Sequence, residues 1–285
     1  MARVSVRRRV EVVDVGASTR TARPDTLAGE EPLELRVGGE PLTVTMRTPG
    51  HDIELVHGFL LGEGVIRCAA EVFAARYCAG SVVQGASGLP ENSYNLLEVD
   101  LEPEAAARAE GARRSFGTTS SCGVCGSASI DAVRARLPRS LHSTGPQVPA
   151  ATVAALPDRL RAEQRVFATT GGLHGSGLYH VGSEAMLVRE DVGRHNAADK
   201  VVGAQLLGAA GAVGGLPADE HVLVLSGRVS YELVQKAAMA GVAVVAAVSA
   251  PSSLAAQMAD ELGITLCGFV RGGRMNVYTH GTRIT

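Results

Sequence analysis

With 285 residues and 46% hydrophobic content, the chain is long enough for one large domain or two ordinary ones, and the content of apolar side chains excludes general disorder. A formal charge of −2 excludes a protein that coats nucleic acid or an anionic membrane, since either partner needs a concentrated basic surface. Five cysteines scattered over this length argue against a secreted disulfide scaffold and for a reducing compartment.

The N-terminus, "MARVSVRRRVEVVDVG", is basic but runs into alternating valines and acids, without the apolar block of a signal peptide. Residues 1–30, which include "ASTRTARPDTLAGEE", are rich in turn formers and predict a flexible arm, with order beginning near Pro32. From Leu33, "LELRV" and "PLTVTM" alternate apolar and polar residues on either side of "GG", the pattern of a tight hairpin. In "TPGHDIELVHGFLLGEGVI", Ile53, Val56 and Leu60 recur at helical spacing behind a Pro-Gly turn, and "NLLEVDL" at 95–101 alternates again. Residues 31–140 therefore predict a smaller α+β domain. The proline-rich stretch "LPRSLHSTGPQVPAATVAALPDRL" predicts the join between halves.

Beyond the join the rhythm changes. Apolar runs ("AMLVRE", "HVLVLSG", "VAVVAAVSA", "ITLCGF") alternate with helical segments ("HNAADKVVGAQLLG", "YELVQKAAMAG", "SSLAAQMADELG"). This predicts a parallel sheet covered on both faces, a three-layer α/β domain over 148–285. The two most apolar runs, around 201–216 and 242–256, are broken by Gly, Gln, Ser and Pro and predict no membrane span. A cytoplasmic protein is expected. In such sheets ligands bind beyond the carboxyl ends of the strands. That rule selects "REDVGRHN", "SGRVS", "SAPSS" and "FVRGGRMN", four small-residue segments punctuated by Arg, as walls of one shared pocket.

The densest chemical signal is "TTSSCGVCGSASIDA" at 118–132. A structural zinc site needs four ligands, and no second close-spaced Cys or His pair follows this one. A thioredoxin-like pair would follow a strand in a small βαβ unit, whereas this one follows a polar loop. Ser120, Ser121 and the glycines make poor core neighbours. A reactive thiol fits better: Ile130, Val133 and Leu137 predict a helix whose N-terminus lies near Cys122, where unpaired N–H groups favour a thiolate. Arg113 and Arg114 add positive charge or form a solvated turn.

Taken together, "EEPLELRVGGEPLTVTMRTPGHDIELVHGFLLGEGVI", "TSSCGVCG", "TGGLHGSGLY", "REDVGRHNAADKVVG", "SGRVSYELVQKAAMAGVAVVAAVSAPSSLA" and "GFVRGGRMNVYT" resemble the FdhD family, the formate dehydrogenase accessory sulfurtransferases. The resemblance runs from residue 30 to the C-terminus. It implies a sulfur carrier that takes sulfur from a cysteine desulfurase as a persulfide on Cys122, with Cys125 as partner. The sulfur then passes to the molybdenum cofactor, in its bis-guanine dinucleotide form, before insertion into formate dehydrogenase. It implies that Phe269, Val270, Arg271, Gly272, Gly273 and Arg274 contact that cofactor, which is bound as substrate, with no permanent metal. A cytidine deaminase-like C-terminal half and a homodimer are implied as well. The deaminase signature itself is absent, so deamination is not.

On residue chemistry, Arg271 and Arg274 suit pyrophosphate because guanidinium forks bind its oxygens in pairs, Gly272 and Gly273 expose backbone N–H groups, and Phe269 offers a stacking face. Arg189, Arg194, Arg228 and Lys236 are further anion-contact candidates, with Asp191 and His195 as orienting groups or structural caps. His174 is a structural histidine or a proton carrier. Gly175 and Gly177 stand where larger residues are expected and predict a loosened segment. Cys68, Cys78 and Cys267 are expected to be buried or incidental. Cys125 either resolves the persulfide or tunes its neighbour. A non-catalytic cofactor-binding chaperone is the alternative reading.

Overall fold

The computed structural model describes residues 3–78, 82–84, 90–92, 95–116, 137, 141–143 and 145–285, with backbone alone at 82–84, 90–92 and 114–116. Cys122, Cys125 and the helix expected after them lie outside the described residues, as does the side chain of Arg114.

The chain opens with β1 (Ser5–Asp14) and β2 (Thr19–Ala28), paired antiparallel over their full length. The expected arm is thus a hairpin. Its cause is visible in "VSVRRRVEVV", where β-branched residues recur often enough for a strand despite the charges. Next, β3 (Glu31–Val37) and β4 (Glu40–Arg47) form the hairpin that the Gly-Gly pair predicts, with Gly38 and Gly39 both left-handed. After α1 (Asp52–Gly62) come β5 (Val72–Tyr77), the short pair β6 (Val82–Gln84) and β7 (Pro90–Asn92), β8 (Leu96–Leu101) and α2 (Pro103–Phe116). Strands order as β4-β3-β8-β5, with β3 and β8 parallel.

The second half starts with α3 (Ala150–Glu163) and α4 (Arg165–Thr170). The join predicted from prolines is, in its second part, helix. Pro157 sits inside α3, where its ring removes a helical hydrogen bond. Burial of Val153, Leu156 and Leu160 against the sheet offsets that loss. Then follow β9 (His174–His180), β10 (Met186–Asp191), α5 (Arg194–Leu206), β11 (His221–Leu225), α6 (Tyr231–Met239), β12 (Val244–Ala247), α7 (Ser253–Leu262), β13 (Thr265–Arg271) and β14 (Arg274–Thr279).

The sheet order is β10-β9-β11-β12-β13-β14. Only the pairs β11–β12 and β12–β13 are parallel; β9 pairs antiparallel with β10 and β11, and β14 with β13, so the expected parallel sheet is mixed. Alternate residues face opposite layers. Val222, Val224, Val244 and Cys267 pack with α3, whereas Leu223, Leu225, Val245 and Leu266 pack in the layer of α5, α6 and α7. Helices therefore cover both faces, and the architecture is mixed α/β.

One buried cluster continues from that second layer into the first half, taking in Leu33, Leu35, Leu55, Leu60 and Leu97. The bridge is the crossing of α1 over α5. A Cβ on Gly58 would overlap the Asp199 carbonyl oxygen, and one on Gly203 would overlap that of Glu54, so the two backbones touch. Among the described residues no helix is long and apolar enough to cross a membrane.

Candidate functional site

Because β10, β11, β12 and β13 all point the same way, Val192, Ser226, Val248 and Arg271 arrive at one end of the sheet, where the antiparallel β9 begins at His174. There they line a cavity of about 540 Å³ that α3 and α4 close with Arg161, Gln164 and Phe167. Two of the segments expected to share a pocket reach it, "REDVGRHN" by Val192 and "SGRVS" by Ser226, and "FVRGGR" contributes Val270 and Arg271; "SAPSS" supplies no lining residue, the wall there being Val248 just before it.

The tip of that last segment differs from expectation. It is a hairpin rather than a loop beyond the strand: Gly272 and Gly273 are both left-handed and turn β13 into β14, so Arg271 and Arg274 face each other across the ladder. A register shift lies between Gly268 and Arg271, and within it Phe269 is left-handed, with its N–H donating to the Ser249 carbonyl at 3.2 Å. Such a bulge re-aims side chains. Val270 is fully buried against the cavity, Phe269 is turned outward, and the Arg271 guanidinium stands 5.8 Å from the Phe269 ring centre. Phe269, Gly272, Gly273 and Arg274 are not among the lining residues.

On the opposite wall the Arg161 guanidinium lies 3.8 Å over the Phe167 ring. Glu190 accepts the N–H groups of Val166 and Phe167 at 2.9 and 2.7 Å and so caps α4. Ser226 Oγ accepts the Gly175 N–H at 2.9 Å, holding β9 to the end of β11. His174 lies 3.4 Å from the same hydroxyl. Burial, then the charge of Arg194, push its pKa down, so the imidazole is neutral at pH 7 and can donate or accept. Gly175 and Gly177 do not loosen the strand. A Cβ on Gly175 would press on Gln164, and one on Gly177 would meet Leu160 and Met186 at 3.3 Å, so both glycines are packing requirements.

The other predicted contacts serve elsewhere. Arg189 donates to Glu54 on α1, with Nη2 at 2.8 Å from Oε1. Burial would raise the Glu54 carboxyl, but the bonds from Arg189 and His51 hold it at about 2. Lys236 is buried 2.7 Å from Asp199; burial lowers its pKa, but Asp199 and Glu63 raise it more, so it stays charged. Asp191 pairs with the buried Lys200 at 2.7 Å and accepts the Thr48 N–H at 3.1 Å, riveting β10 to the end of β4. His195 meets Ser230 and Glu232 at 2.8 and 2.9 Å. Arg228 is exposed, and Arg194 is partly buried.

Among the remaining cysteines Cys267 is buried, Cys78 partly so and Cys68 exposed. Cys122 and Cys125 lie outside the described residues, so their distance to the cavity is not set by this geometry. Arg161, Gln164 and Phe167 were missed in the sequence because their helices fall in and just after a stretch read as a join. The spacing of Val153, Leu156 and Leu160 was the available signal.

Residues 28–285 match the FdhD/NarQ family. The chain belongs to this family. It is 51% identical over 282 residues to the sulfur carrier protein FdhD of Nocardia farcinica, covering 99% of this chain and 95% of that one. To the protein of the same name from Mycobacterium tuberculosis it is 52% identical over 264 residues, 92% of this chain and 93% of the relative. A crystal structure described as a formate dehydrogenase accessory protein of Desulfotalea psychrophila superposes with a TM-score of 0.71 at 23% identity, covering 99% of this chain and all of that one. That last likeness is one of fold.

Proposed function

We propose that this FdhD family member carries sulfur on Cys122 in formate dehydrogenase maturation and hands it to a molybdenum cofactor held at the strand-end cavity. Family membership over residues 28–285 supports the sulfur-carrier role. The observation that carries the second half is the cavity: about 540 Å³, the size of one nucleotide-like part of a ligand, with Arg161 and Arg271 on its walls. Two guanidiniums on an apolar cleft suit the phosphates of a dinucleotide cofactor. Val270 shapes the wall; Phe269, Gly272, Gly273 and Arg274 supply the rim of the β13–β14 hairpin, where a ligand extending out of the cavity meets them.

In the chemistry we infer, the Cys122 thiolate attacks the outer sulfur of a desulfurase persulfide. The S–S bond of the donor breaks, the desulfurase cysteine leaves as thiolate, and Cys122 becomes the persulfide. Where Cys125 resolves it, the Cys125 thiolate attacks Cys122 Sγ, hydrosulfide leaves toward the metal of the cofactor, and a Cys122–Cys125 disulfide remains for a cellular dithiol to reduce. Exchange of this kind runs fastest when the attacking pKa lies near ambient pH. A deaminase-like scaffold for the C-terminal half belongs to this reading as architecture alone, and the acting form is taken to be a cytoplasmic homodimer.

Formate dehydrogenase activity in cells lacking their own carrier tests the thiol. Cys122→Ala is expected to abolish rescue, and rescue by that variant would favour a chaperone that needs no sulfur chemistry. Unchanged rescue by Cys125→Ser would assign Cys125 to tuning its neighbour.

A further inference from the structure

Gln164 sits between α3 and α4 and is 3% exposed, yet it lines the cavity and its Nε2 has no hydrogen-bond partner among the described residues. A buried donor left unpaired forfeits its solvation without return, so such groups are rare unless a ligand completes them. The fold makes room for this one. A Cβ on Gly175 would stand 2.6 Å from Gln164 Cδ and 2.7 Å from Nε2, so the carboxamide rests on bare backbone. Phe167, Leu173 and Val248 supply apolar wall beside it, and Arg271 supplies positive charge on the same cavity.

We propose that Gln164 is a specificity-determining residue that pairs with the lactam edge, adjacent N–H and C=O, of a heterocycle bound in this cavity; the inference rests on the cofactor reading above. A primary carboxamide offers a donor and an acceptor side by side. Nε2 donates to the ring carbonyl while Oε1 accepts from the neighbouring ring N–H. Guanine and pterins share this edge. Adenine, held by its phosphates at Arg271 in the same register, presents an amino donor where guanine presents a carbonyl, and so meets Nε2 with a second donor in the carboxamide orientation described; it pairs only if the carboxamide turns over. Sites built on buried hydrogen-bonding groups reject such mismatches strongly.

Calorimetric titration of the full chain with GDP, ADP and 6-hydroxymethylpterin tests this. Wild-type protein is expected to bind GDP at least about tenfold more tightly than ADP if guanine is the source of the edge, or to bind the pterin if the pterin is. Gln164→Leu is expected to lose about tenfold on the preferred ligand, and Gly175→Ala, which displaces the carboxamide, to lose a similar factor, with melting temperature monitored for both. Binding of GDP and ADP with equal affinity and no pterin binding would overturn the role of Gln164, a comparison that needs no variant to fold. Gln164→Leu binding like wild type while Arg271→Ala loses GDP would also overturn it and leave the cofactor reading standing. Failure of wild-type protein to bind any of the three at millimolar concentration would overturn the cofactor reading, and this inference with it.

Discussion

Burial sets the chemistry of the Cys267 thiol. Cys267 has no exposed surface, and burial pushes its thiol up to about 11, so at neutral pH it is protonated and shielded. Brief treatment of the folded protein with iodoacetamide is expected to leave Cys267 unmodified and to label exposed Cys68, with Cys267 reacting only in denaturant; peptide mass mapping reads both. Glu54 gives a second residue-scale prediction. Its carboxyl is held at about 2 by Arg189 and His51 against an ordinary value of 4.5. A depressed folded pKa contributes stability that is fully present above about pH 4.5 and is lost as pH falls toward 2. Denaturant midpoints measured from pH 5 to pH 2 are expected to fall, and the slope is expected to flatten in Glu54→Gln. An unchanged slope in that variant would remove the Glu54–Arg189 pair from the acid response. The pair Cys122 and Cys125 was conspicuous in the sequence at this scale, because two cysteines two residues apart among glycines and serines have no bland packing role, but both lie outside the described residues. Gln164 was not, since a single glutamine announces nothing until Gly175 and the cavity are placed around it.

Elements were legible where local and global preferences agree. Gly38-Gly39 between alternating strands, and Ile53, Val56 and Leu60 on α1, are realised as read. They fail where composition and pattern conflict. β1 and β2 carry so many arginines and turn formers that charge masks the alternation of their valines, and α3 holds Pro157 in its middle. β14 is not legible because Gly272-Gly273 marks a turn without saying that a strand follows it. The left-handed pair at that turn yields the element-scale prediction. Gly273→Val is expected to destabilise the protein by about 1 to 2 kcal/mol, since a β-branched residue must enter the left-handed region. A denaturant midpoint equal to wild type would contradict the hairpin.

At the scale of the whole molecule, sequence rhythm separates an α+β half from an α/β half, yet the apolar cluster runs through both. The reason is invisible in composition: Gly58 and Gly203 meet at the α1–α5 crossing, and Lys200, Asp191 and Thr48 tie β4 to β10. Gly58→Ala, which sets a methyl group against the Asp199 carbonyl, is expected to cost about 3 kcal/mol or more and to lower the midpoints reported by both halves together. A change confined to one half would contradict a shared core. This continuity fixes the strand-end cavity in relation to the first half of the chain; the proposed delivery of sulfur to Cys122 is a separate step. Intact mass of the protein after incubation with a cysteine desulfurase and cysteine tests that delivery most directly. One added sulfur atom, removed by reductant and missing from Cys122→Ala, is predicted; an unchanged mass in the wild-type protein, or the same gain in Cys122→Ala, would contradict it.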